Sequence, residues 1–120
     1  MMMKFDPFRT AAWLASTALL LCACAPPRSP AQVTVRNATA EDIVELTIDV
    51  SKQHLAARNV PPGGAATFKY SIGVESDYHV VAKFVSGQTL DRSVGYVDAG
   101  LNSQDSLTVY AGHIDFQPQP

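Results

Sequence analysis

The chain has 120 residues, enough for one domain and too few for a two-domain enzyme with a cleft between lobes. Nine Lys and Arg against eleven Asp and Glu leave a formal charge of −2, which excludes the broad basic surface of a nucleic-acid binder. Hydrophobic residues make up 47% and charged residues 17%, too apolar for a disordered chain, but much of the apolar content lies before residue 26.

That opening segment reads as an address. Lys4 and Arg9 give a positive start that Asp6 dilutes, and the run from Thr10 to Cys22 is free of charge and dominated by Leu and Ala. As a helix the run is roughly 20 Å long, short of the about 30 Å of a hydrocarbon core but suited to a secretory signal. It ends in Leu21-Cys22-Ala23-Cys24, which resembles the lipobox of bacterial lipoproteins. The resemblance implies a diacylglyceryl group on the Cys24 thiol, cleavage after Ala23 and acylation of the new amino terminus. An ordinary cut after Ala25 competes, but Pro26 behind the scissile bond disfavours it. Ala25 after the cysteine, where Asp would signal retention, resembles the outer-membrane default of Gram-negative lipoproteins.

Residues 1–23 are therefore expected to be a cleaved helical signal peptide, and residues 24–31 a lipidated Cys24 with a Pro-rich tether. Pro26, Pro27 and Pro30 stiffen that tether, at about 3.1 Å per residue in polyproline geometry. With Cys22 removed and Cys24 acylated, the mature domain holds no disulfide and must be stable through packing. Two or three acyl chains, at about 0.8 kcal/mol per buried methylene, make a lasting anchor. Losing Lys4, Arg9 and Asp6 moves the formal charge from −2 to −3.

From Gln32 the hydrophobic period is two. Val33 and Val35 share a face, and a polar connection follows from Asn37 to Asp42. Val44, Leu46, Ile48 and Val50 then alternate with Glu45, Thr47, Asp49 and Ser51, the pattern of a strand with one buried and one wet face. A weaker strand runs from about His54 to Asn59. Val60-Pro61-Pro62-Gly63-Gly64 is a turn, since proline presets φ and glycine supplies positive φ. Ala66, Phe68 and Tyr70 share the next face, and Tyr78, Val80, Ala82 and Phe84 the one after. A hairpin connection at Val85-Ser86-Gly87-Gln88 leads to Leu90, Arg92 and Val94. Leu107, Val109 and Ala111 form the last predicted strand. The folded domain is placed at 32–115 and a polar tail at 116–120.

Strands at this spacing, with no helical periodicity, predict an all-β domain: a small antiparallel immunoglobulin-like β-sandwich of about seven strands, with a small barrel as the alternative. The mature part also resembles a loose set of small exported bacterial domains through Val33-Val35-Asn37, the Pro62-Gly63 turn, and Gly95-Tyr96 with Gly100. Those motifs are structural, and no catalytic residue comes with them. Tyr96 is expected to be buried or capped between its glycines.

The chemistry-bearing residues are sparse. Ser51, Ser71, Ser86 and Ser93 occupy turn or exposed-strand positions, and neither G-x-S-x-G nor S-x-x-K occurs, so no enzyme and no cofactor are expected. His113 and Asp115, two apart on one face, together with His79, form the alternative reading of a periplasmic metal-binding module. His79 alternates with the core set and should point outward. Asn37-Ala38-Thr39 fits the glycosylation pattern only by coincidence. Tyr70 and Tyr78 are in phase with the core; Tyr110 is out of phase and is the expected exposed aromatic. The expectation is a non-enzymatic envelope lipoprotein, held to the outer membrane through Cys24, that binds or supports a protein partner and no nucleic acid.

Overall fold

The computed structural model describes residues 29–98 and 103–118. The predicted signal peptide and Cys24 lie outside the described residues.

Eight strands run through these residues: β1 (Ser29–Asn37), β2 (Ile43–Val50), β3 (Gln53–Val60), β4 (Ala65–Ile72), β5 (Ser76–Phe84), β6 (Thr89–Val97), β7 (Ser103–Val109) and β8 (Ile114–Pro118). They build two four-stranded sheets, one in the order β4-β1-β7-β8 and the other β3-β2-β5-β6. Every pairing is antiparallel except β1 with β7, which run parallel from Ala31 beside Ser103 to Asn37 beside Val109. The expected β-sandwich is present, with one strand more than the alternation predicts and no helix among the described residues.

The core is the inner face of both sheets. Val33 and Val35 of β1 and Leu107 and Val109 of β7 meet Leu46, Ile48, Tyr78 and Val80 of the other sheet, all fully buried. Alternation on β2 puts Leu46, Ile48 and Val50 inside and leaves Asp49 exposed, but Val44, expected on the same face, is turned out and Ile43 is buried in its place, because the ladder to β5 shifts register between Ile43 and Glu45. Burying an aliphatic side chain of this size stabilises by about 1.5–3 kcal/mol before ordering entropy is subtracted, and this is the term that holds a domain without disulfides.

Three further departures from the sequence pattern have local causes. β1 already runs at Ser29, inside the stretch read as tether, because Ser29 and Pro30 pair with Ile72 and Ser71 of β4. Pro30 is tolerated there because it stands one residue into its strand, before the interior of the ladder. β8 runs on from Phe116 to Pro118 inside the stretch read as tail: only Ile114 of its five residues is buried, so the period is too short to read, yet its backbone pairs with β7 from Val109 to Asp105. Tyr96 is 58% exposed instead of buried, and its hydroxyl donates to the Glu75 carboxylate and not to a backbone group. β6 gains one residue opposite β5, since Ser76 and Tyr78 face Val97 and Val94. Gly95, at φ +70°, takes up that extra residue as a bulge, which turns Val97 inward and Tyr96 out.

The β2–β3 connection is a two-residue hairpin in which Ser51 and Lys52 both have positive φ, 48° and 61°. A turn of this kind matches strand twist but suits Asn-Gly better than Ser-Lys. Ser51 compensates through its hydroxyl, which donates to the Val74 carbonyl at 2.9 Å and accepts from the Gly73 and Val74 amides at 2.9 and 3.0 Å. The β4–β5 connection is thereby fastened to the hairpin.

Candidate functional site

β1 and β7 are parallel, so the connections after Asn37 and Val109 emerge at the same end of the sandwich. The other two connections of that end join them through the backbone: the Asn37 amide donates to Gly64 O at 2.9 Å, and the Val85 amide to Asp42 O at 3.1 Å. This end lies opposite Ser29. It carries Val85, 65% exposed, and Tyr110, 37% exposed. The Tyr110 ring stacks on His113 with centroids 4.7 Å apart, so the expected aromatic is half-presented and held by its neighbour.

The alternative metal set does not assemble. His113 Nε2 lies 3.5 Å from Asp115 Oδ1, as their spacing predicts. His79 belongs to the other sheet, where its ring contacts Asp91 and Asp49. Among the described residues no group of three His, Cys, Asp or Glu side chains could hold a metal ion. His79 is thus no partner of His113 and Asp115, and residues that alternate correctly on their own strands end up on different sheets.

Two adjoining depressions, about 300 and 170 Å³, lie where β4, β1 and β7 run side by side, and both are bordered by Gln32 and Gln104, neighbours in the parallel register. Lys69, Ser103, Thr34, Asp105 and Ser106 add further polar residues to their borders. The Tyr70 ring borders the larger one, but its hydroxyl turns inward, 2.7 Å from the Tyr78 hydroxyl. Tyr78 in turn donates to Asp105 Oδ2 at 2.5 Å. This Tyr70–Tyr78–Asp105 chain joins both sheets, and the Tyr78 ring also packs beside Phe116. Burial pushes the Asp105 carboxyl above its ordinary pKa, and the Tyr78 hydrogen bond opposes that rise. Burial likewise raises both phenols, and for Tyr78 the Asp105 carboxylate raises it further. At neutral pH the two tyrosines are donors in a structural relay. Sequence reading places both rings in the core, while the carboxylate that joins them is hidden among the polar letters of Ser103-Gln104-Asp105-Ser106.

The serines weighed as nucleophiles are structural where their bonds are defined. Ser51 holds backbone groups, and the backbone of Ser71 is bonded at both its amide and its carbonyl by the Gln53 carboxamide, as a neighbouring strand would bond it. Asn37 of the glycosylation triplet is fully buried, with all its amide hydrogen-bonding capacity engaged, which removes it as an acceptor for sugar.

Outward on the β3-β2-β5-β6 sheet, four side chains form a row: His54, Asp49, His79 and Asp91. Beside it Glu45 lies 3.8 Å from Arg58 and 3.7 Å from Lys83, both ordinary exposed cross-strand pairs.

Comparison with known proteins gives a likeness of fold. No family model and no curated protein sequence matches the chain. Among solved structures, a protein from Eubacterium rectale determined by NMR superposes with a TM-score of 0.56 at 9% identity, covering 75% of this chain and 88% of that one. The N-terminal domain of AlgF from P. aeruginosa matches at 23% identity and a TM-score of 0.46, over 80% of this chain and all of that domain. A putative cell adhesion protein from Bacteroides uniformis matches at 7% identity and a TM-score of 0.48, over 76% of this chain and 49% of that one. The first of these supports the all-β two-sheet architecture.

Proposed function

We propose that the chain is a membrane-anchored lipoprotein of the bacterial envelope whose β-sandwich is a non-enzymatic binding or structural module. The observation that carries this reading is Leu21-Cys22-Ala23-Cys24, placed directly ahead of a proline-rich stretch that leads into β1. Acylation at Cys24 would enter the domain through β1, a strand flanked in its sheet by β4 and β7. Tension from an anchor would then load two ladders of hydrogen bonds in shear, a sturdier attachment than an edge strand. An anchor at that end also leaves the Val85 and Tyr110 end pointing away from the lipid, where a partner in the same envelope meets it at raised effective concentration. The role is presentation, without turnover. The Ser51 hydroxyl and the buried tyrosine–aspartate chain are fully engaged in holding the fold.

Mass spectrometry of the protein recovered from membranes tests it. The mature chain is expected to begin at Cys24 and to carry acyl mass there, and Cys24→Ser is expected to leave the protein unprocessed and without acyl mass. Recovery of the wild-type chain as a full-length, unmodified and soluble protein would overturn the reading.

A further inference from the structure

The outward face of the β3-β2-β5-β6 sheet places an unbroken line of imidazoles and carboxylates across all four strands. His54 Nδ1 lies 2.6 Å from Asp49 Oδ1, His79 Nδ1 lies 3.8 Å from Asp49 Oδ2, and His79 Nε2 lies 2.7 Å from Asp91 Oδ1. Acid and base alternate from one edge of the sheet to the other. The register explains why: Asp49 stands opposite His54 on one side and His79 on the other, and Asp91 reaches His79 diagonally from beside Val81.

Both ring nitrogens of His79 face a carboxylate. A neutral imidazole carries one N–H and one bare lone pair, so in either tautomer one nitrogen would turn a lone pair toward a negative oxygen. The imidazolium, with a donor on each nitrogen, satisfies both neighbours. We propose that the Asp49–His79–Asp91 part of this row is a proton-operated clasp, which ties the edge strand β6 to the centre of its sheet while His79 is protonated and slackens as that ring loses its proton. The Asp91 hydrogen bond, foremost, holds the His79 ring above its ordinary range against desolvation, the next largest effect, with the charges of Asp91, Asp49 and Asp77 adding to the rise. The other charges of this face are Glu45, Arg58 and Lys83, which pair among themselves, while Arg92 reaches away to the Gly112 carbonyl. Each proton that His79 gains or loses changes the charge of this face by one, so the clasp also sets the charge the face shows to its surroundings.

The sign follows from linkage. A raised folded-state pKa contributes stability that is fully present below about 6.5, the value for an unfolded histidine, and is lost as the pH rises through the higher folded value. The row is exposed, so the effect is a modest one that salt weakens. The test is an NMR titration of the imidazole carbons in the full chain in detergent, joined to melts at pH 5.5 and 8.5. His79 is expected to be half-protonated above pH 6.5. Asp91→Asn should lower that midpoint by at least half a unit, and Asp49→Asn should lower it by less. The melting temperature of the wild type should exceed that of His79→Gln by more at pH 5.5 than at pH 8.5. A His79 midpoint at or below 6.5, a midpoint that Asp91→Asn leaves in place, or an equal melting difference at the two pH values would overturn the proposal.

Discussion

The side-chain amide of Asn37, at the end of β1, donates to the backbone carbonyl of Val60, at the end of β3, at 2.9 Å, and so joins one sheet to the other. Its second N–H reaches Glu41 O at 2.8 Å, and its oxygen accepts from the Thr39 amide and hydroxyl at 2.9 and 2.7 Å. One buried residue thus closes the β1–β2 connection and holds the neighbouring turn in place. Asn37→Ala should cost about 3 kcal/mol, because several buried backbone groups lose their partner together and each such loss costs about 1–3 kcal/mol. Asn37→Asp should cost as much or more, since it replaces two donors by a buried charge. Urea denaturation with an unchanged m-value measures this; a loss below about 1 kcal/mol would show that water replaces the amide.

Glycine and lysine at positive φ make opposite predictions. A Cβ on Gly95 would stand 2.5 Å from Cδ1 of the Phe116 ring, and φ is +70°. Gly95→Ala should therefore destabilise by about 2 kcal/mol or more, combining left-handed strain with displacement of a packed ring. Lys52 is exposed at φ 61° in the β2–β3 hairpin, with strain and no evident packing role. Lys52→Gly should stabilise by about 0.5–1 kcal/mol. The two shifts in melting temperature should have opposite signs.

Asp105 is a buried carboxyl whose folded pKa is raised, chiefly by desolvation. The folded state then holds its proton to a higher pH than the unfolded state, so the residue weighs against folding once the pH exceeds the folded value. Asp105→Asn keeps an oxygen for the Tyr78 hydroxyl and removes the charge. It should raise the melting temperature at pH 7 by a few degrees, the shift that about 1 kcal/mol produces in a domain of this size. The advantage should shrink as the pH falls through the folded pKa, below which the wild-type carboxyl is also neutral. A constant difference from pH 7 to pH 4 would assign the effect to packing instead.

What was legible in the sequence is whatever a strand decides by its own period. From Leu46 on β2 and along β5 each inward residue is apolar and most outward ones are polar, so the inner faces, the outward His79 and the buried Tyr70 and Tyr78 follow from alternation. The Pro61–Gly64 turn is equally local, because its residues preset their own dihedrals. Where a strand is short or irregular the period fails: β8 has one buried residue to announce it, and the Gly95 bulge reverses the phase for Tyr96.

Which strands become neighbours is a different matter, decided by how two sheets close over one core. No pattern within β1 or β7 says that they pair in parallel, yet that pairing aligns Gln32 with Gln104 and brings Asn37 beside Val109. The same closure sends His79 to the sheet opposite Asp115, beneath neither of the residues it was grouped with, and sets it instead between Asp49 and Asp91. It also carries the Asp105 carboxyl to the Tyr78 hydroxyl, a pair 27 residues apart. Faces are a property of the strand; partners across strands are a property of the whole, because contacts between residues far apart in the chain exist only once the core that unites them has formed.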